Sequence, residues 1–296
     1  MIAIVFGLLT AVLWAATLIG SQRSSRLIGS WSTLAWVMLV GLVVAVPLVL
    51  LTAGSVAFSS TDIFHLVVAG IANSAGLLLV YTALRRGKVG VVGPVVSTEG
   101  AIGATLAIVL GGDPVTVITV ALLAVITVGV VLSATEPTAP IVDPDLDPAG
   151  SPPGIAIPNA AVTAAIALGG AVLFGVNLYA TGRIATELPI AWAILPARLA
   201  GVVGVTIPLL LMRRIRLERA AVPFVLMVGV AEVAGVATYS FGARDSAAIA
   251  SVIASQFAGI AAIVAFLLFG ERLGRLQVAG VIVIAIGVGA LAAARA

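Results

Sequence analysis

The sequence predicts an all-α membrane protein of ten transmembrane helices, arranged as two inverted five-helix repeats around a central cavity. Three observations predict it. First, the chain is 61% hydrophobic and only 9% charged, with a mean hydropathy of +1.27, whereas a soluble domain carries about a quarter charged residues. Second, apolar runs of about twenty residues, each able to cross a hydrocarbon core of about 30 Å, recur throughout. Third, the second half of the chain repeats the first. At one constant offset and without a gap, Tyr81–Leu132 aligns with Tyr239–Ala290: Tyr81 meets Tyr239, Ser97 meets Ser255, Gly112–Asp113 meets Gly270–Glu271, and Gly129 meets Gly287.

The ten expected spans cover approximately 2–20, 29–52, 63–84, 89–110, 115–133, 161–182, 188–212, 221–241, 247–269 and 275–293. The first is apolar from its second residue, lacks a basic leader and a small-residue cleavage site, and reads as a retained helix. Most spans are apolar on every face, as helices solvated by lipid and by one another are. Around Trp14 the repeat extends further, Leu8–Thr17 resembling Leu168–Asn177 at a slightly different offset, so that Trp14 meets Phe174. Pro47 and Pro208, each followed by Leu, sit late in the second span of each half.

Residues 133–160 stand apart. The segment holds half of the fourteen prolines, together with Glu136, Asp143, Asp145 and Asp147, and no Lys or Arg. Proline at that density cannot continue a helix, so an extended linker is expected between a first repeat (1–132) and a second (161–296). Five spans on each side is an odd number, which makes the repeats inverted. Basic residues gather in alternate loops: Arg23 and Arg26; Arg85, Arg86 and Lys88; Arg213, Arg214, Arg216 and Arg219; Arg272 and Arg275. Counted by the positive-inside rule they put both termini outside, while the acidic linker on their side favours the opposite. The parity places both termini on one side and leaves absolute orientation open.

Several chemistries are excluded. The pI of 9.9 accompanies a net charge of only +3, so the basic clusters are topology signals and no nucleic-acid surface is expected. Without cysteine there are no disulfides or thiolate metal sites. His65 is the sole histidine and sits near a helix start, which speaks against a metal site and a Ser/His/Asp triad. No phosphate-binding G-x-x-x-x-G-K-[ST] loop occurs. Neither an enzyme nor a cofactor is expected.

Small residues recur every fourth position at Gly93, Ser97 and Ala101, and at Ser251, Ser255 and Gly259 in the other half. Such stripes let helices approach closely in lipid and are read as packing seams. Three ionisable residues lie near the middle of spans: Glu99, Arg198 and Glu232. A charge at the bilayer centre costs about 2.5–3.5 kcal/mol even on insertion scales, so each is expected to face the bundle interior. Their repeat mates are uncharged, as a specific solute site within a symmetric scaffold requires. Arg198 is expected to receive an anionic group, and Glu99 or Glu232 a cationic group or a coupling proton, because a carboxyl taken out of water binds a proton more readily. A self-neutralising Glu–Arg pair is the alternative. Trp14, Asn73, Thr98, Asn177 and Gln256 are further solute-contacting candidates, whereas Tyr81 and Tyr239, near helix ends, read as anchors.

The C-terminal stretch Ile253–Leu291, with its small-residue helix, its Gly270–Glu271-x-Leu273 loop, and Gln277, Gly280 and Gly287 in the last helix, resembles the closing segment of EamA-type permeases of the drug/metabolite transporter superfamily. Tyr81–Leu132 resembles it more loosely, with Asp113–Pro114 in place of the Glu and its neighbour, and the Trp14 region resembles the family's first helix. The resemblance implies two inverted repeats around a cavity and secondary transport, often export, of small polar metabolites such as amino acids, or of drugs. It also implies cytoplasmic termini, against the Lys/Arg count. The expected partners are a small-molecule solute and the lipid bilayer, in a bacterial inner membrane, with proton coupling. A lipid-linked-substrate flippase and a non-transporting scaffold are the alternatives.

Overall fold

The computed structural model describes residues 1–52, 54, 56–86, 89–133, 160–261, 264 and 275–295. The linker 134–159, Lys88, and the Gly270–Glu271-x-Leu273 loop with Arg272 lie outside the described residues. The described residues form α-helices and no strand. In order they are α1 (Ile2–Ile28), α2 (Ser30–Thr52), α3 (Ser60–Arg86), α4 (Val89–Ser97), α5 (Glu99–Val109), α6 (Val117–Ser133), α7 (Ala160–Glu187), α8 (Ala191–Gly201), α9 (Ile207–Leu211), α10 (Val222–Ala254) and α11 (Arg275–Arg295).

Among the described residues, six stretches are long and apolar enough to cross a membrane: α1, α2, α3, α7, α8 through α9, and the stretch containing α10. The chain is an integral, multi-pass membrane protein. Large apolar side chains such as Val43, Leu50, Val117 and Leu211 point outward, as a lipid-facing surface requires. The interior combines large apolar side chains such as Leu34, Met38 and Ile126 with small residues and with polar groups turned away from lipid.

The helices pair across the two halves. α1 packs along α10, α3 along α7, and α6 along α11. These contacts join one half of the chain to the other, so neither half buries its core alone. At the ends of the bundle, Asp245 accepts the Ala3 N–H at 3.0 Å, and Arg244 donates to the carbonyls of Ala185 and Leu188 at the end of α7. A cation there satisfies the last, unpaired carbonyls of a helix.

Several expected spans are interrupted or merged. The span expected over 89–110 is two helices, broken at Thr98. The span expected over 188–212 contains a π-helical turn, Val202–Thr206, two residues before Pro208, which has no N–H to offer the helix ladder. The eighth and ninth expected spans run together as α10, kinked at Ser246. There the Ser246 hydroxyl accepts the Ile249 N–H and donates to Asp113 at 2.9 Å, while Asp113 also accepts the Ala248 N–H at 2.8 Å. These are helix-capping bonds, so a new helix begins where the kink falls.

Candidate functional site

The break between α4 and α5 positions the first site residue. The Thr98 N–H donates to the Val95 carbonyl at 3.3 Å, and its hydroxyl donates to the same oxygen at 2.7 Å. This tight turn replaces the regular ladder. The same irregularity recurs in the second half, where Gln256 N–H meets the Ile253 carbonyl at 3.3 Å. Thr98 and Gln256, like Val95 and Ile253, are repeat mates. Because α5 restarts at Glu99, that carboxyl sits in a helix's first turn, at the positive end of its dipole.

The two irregular segments lie against each other. A Cβ on Gly100 would overlap the Ser255 hydroxyl and come within 2.6 Å of the Ser251 carbonyl, and one on Gly103 would lie 3.1 Å from the Ser251 hydroxyl. Ser251 and Ser255 thus lie in close contact with Gly100 and Gly103, which neighbour the expected Ser97 and Ala101 in sequence. Gly93, Ser97 and Gly259 are buried and Ala101 is half-buried.

Beside this crossing lies an internal cavity whose polar lining comes from Trp14, Thr17 and Ser21 of α1, Asn73 and Tyr81 of α3, Glu99, Asn177 of α7, and Glu232 of α10. Phe174 and Phe257 complete an aromatic wall. About 50 Å³ is open to the centres of water-sized molecules, room for a few waters. Glu99 is 3% exposed, and its carboxyl makes no hydrogen bond or ion pair among the described residues. The Trp14 indole N–H, the Asn73 carbonyl and the Tyr81 hydroxyl are buried without a hydrogen-bond partner. Buried polar groups in folded proteins are almost always satisfied by protein, water or ligand. Several such groups around one cavity mark a place built for an occupant.

The other two buried charges are mutually engaged. Arg198, fully buried on α8, donates to Glu232 at 3.3 Å and lies against Met38 at 3.7 Å. Its stem runs over Gly41, where a Cβ would come within 2.7 Å of Cδ. The guanidinium thus stands behind Glu232 rather than in the cavity wall. Of the residues expected to meet solute, the structure gathers Glu99, Glu232, Trp14, Asn73 and Asn177 around one cavity and leaves Arg198, Thr98 and Gln256 outside its lining. Thr98 turns its hydroxyl onto the Val95 carbonyl. Gln256 is buried with its amide nitrogen unpartnered.

Tyr81 and Tyr239 are corrections. Both are 1% exposed, so neither is an interface anchor. Tyr81 lines the cavity, and Tyr239 donates to the Leu178 carbonyl at 2.8 Å and contacts Ser251 at 3.0 Å. Position along a helix suggested an end; the bundle buries that depth. Ser21 was not among the candidates, because the first span was expected to end at residue 20 and the helix runs on to Ile28. His65 packs edge-on against Tyr179, and no cluster of metal-ligating residues occurs among the described residues.

Residues 1–135 match the EamA-like transporter family. The N-terminal half is EamA-like. The EamA-like half supplies α1 through α6, and with them Trp14, Asn73, Tyr81 and Glu99 of the cavity. No curated protein matches the sequence. A solved structure, described only as the crystal structure of a protein, superposes with a TM-score of 0.71 over 98% of this chain and 96% of its own, at 16% identity. At that identity the likeness is one of fold, and it extends over both halves.

Proposed function

We propose that the chain is a secondary transporter that exports a small polar metabolite, such as an amino acid or a related compound, or a drug, by alternating access in a bacterial inner membrane. The observation that carries this reading is the unpaired, buried carboxyl of Glu99 at a helix break, facing a cavity of unsatisfied polar groups. Broken helices at an interface between repeats are a recurring way to build a transport site. The family match to a transporter supports transport over catalysis.

Two inverted repeats, 1–132 and 161–296 joined by the linker 133–160, form the moving parts in this reading. The reciprocal pairing of α1 with α10 and α3 with α7 supports it, as do the equivalent turns at Thr98 and Gln256. The cavity is too small for a metabolite, so a rocking of one repeat against the other must enlarge it toward each side in turn. Glu99 takes a proton or the cationic amine of the solute, and the aromatic wall favours that amine through cation–π attraction. Glu232 is neutralised by Arg198 and acts as structure for the cavity.

Untargeted comparison of metabolites released by cells with and without induced expression tests the proposal. Selective release of one polar class, lost in Glu99→Gln, is the expected result. An unchanged profile together with altered lipid asymmetry would favour a flippase, and silence in both assays a scaffold.

A further inference from the structure

At one end of the bundle lies a second depression of different character. Its volume is about 500 Å³, and its wall includes Arg26, Arg85, Arg213, Arg214 and Arg216, with no acidic residue among the described residues. Three separate elements bring these arginines together: the end of α1, the end of α3 and the loop after α9. The loop is tied down rather than loose. Arg216 donates its N–H to the Ser32 hydroxyl at 3.1 Å, and Trp36 donates to the Arg216 carbonyl at 2.9 Å. The first turn of α2, Ser30–Trp31–Ser32, also lines the depression, and that turn carries no acidic side chain. The positive end of a 23-residue helix therefore adds to the guanidinium field.

The backbone at Arg213 is a further sign. Its φ is +52°, the left-handed region in which a side chain is disfavoured. Arg214 N–H bonds the Leu209 carbonyl and Arg213 N–H the Leu210 carbonyl, the helix-ending pattern whose left-handed position usually holds glycine. Here it holds an arginine whose guanidinium joins the cluster. Among the described residues the side chains of Arg85, Arg213 and Arg214 have no ion-pair partner. Like charges held in a concavity repel unless an anion joins them, and forked guanidiniums suit the oxygens of a phosphate.

We infer that this depression binds a phosphate group, supplied by the headgroup of an anionic phospholipid. Trp31, 54% exposed at its rim, has the amphipathic side chain that settles at headgroup depth, which favours lipid over free phosphate as the source. The inference does not depend on the transport reading, because none of these residues lines the cavity beside Glu99.

The test uses the purified full chain reconstituted in nanodiscs of phosphatidylcholine alone or with phosphatidylglycerol. Lipid retention is read by native mass spectrometry and the unfolding midpoint by thermal scan. Phosphatidylglycerol should be retained in preference and raise the midpoint. In R85Q/R214Q the preference should fall about fivefold per arginine removed, with the midpoint in phosphatidylcholine unchanged; the single variant R85Q serves if the pair does not fold. R183Q/R275Q, which removes the same charge elsewhere, should keep the preference. A midpoint raised by millimolar inorganic phosphate but not by phosphatidylglycerol, and lost in R85Q/R214Q, would assign the site to free phosphate and overturn the lipid source. Equal retention of the two lipids without a phosphate response, or an equal loss in R183Q/R275Q, would overturn the site.

Discussion

The indole of Trp14 lies directly over Gly235, so close that a Cβ there would overlap its Nε1. The repeat mate of Trp14, Phe174, lies over Gly76 in the same manner, with a Cβ there 2.8 Å from the ring. Each half thus sends an aromatic ring from its first helix onto a glycine in the third helix of the other. Both rings wall the cavity. Overpacking costs about 1–3 kcal/mol, so Gly235→Ala should lower the unfolding midpoint in detergent. Gly204→Ala is the control, since a Cβ there meets nothing within 4 Å. Equal midpoints for the two variants would contradict the packing described.

The Arg198–Glu232 pair makes a separate prediction. Removing one member of a buried pair leaves an uncompensated charge and costs about 3–5 kcal/mol, whereas replacing both by apolar residues is often neutral. Arg198→Met and Glu232→Leu should each destabilise the protein strongly, and the double variant much less than their sum. Additive losses in thermal unfolding would show that the two side chains are not coupled.

Glu99 is unpaired, so its neutralisation should spare the fold and affect flux. A hydrogen bond to a charged group contributes about 1.5–3 kcal/mol, and Glu99→Gln should reduce export of the responsive metabolite about tenfold or more. If Glu99 carries the coupling proton, wild-type flux varies with pH and the variant's flux is flat. A variant that keeps the wild-type pH profile removes Glu99 from the proton role.

Asp113 caps the helix that begins after Ser246. Loss of a cap costs about 0.5–2 kcal/mol, so Asp113→Ala should lower the unfolding midpoint and speed amide exchange at Ala248. Asp113→Asn, which keeps an accepting oxygen, should retain part of the stability. If Asn and Ala behave alike, the bonds at Asp113 do not hold the kink.

The close approach of Gly100 and Gly103 to Ser251 and Ser255 was not legible in the sequence. A stripe counted at fixed spacing assumes an unbroken helix, and the turn at Thr98 breaks that assumption with one hydroxyl bonded to the Val95 carbonyl. A threonine in an apolar run looks the same whether or not it makes that bond. The charged candidates were visible because an ionisable group inside a span is expensive, and burial is the only way to accommodate it.

Sequence by itself determined the solvent, the helical class, the internal repeat and the three buried charges, because hydropathy and desolvation act on residues one at a time. Only the tertiary structure decided that Arg198 belongs to Glu232 while Glu99 stands alone, that Tyr81 faces a cavity, and that arginines from three elements meet in one depression. Those relations depend on distances between residues far apart in the chain, which exist only once the two halves have packed against each other.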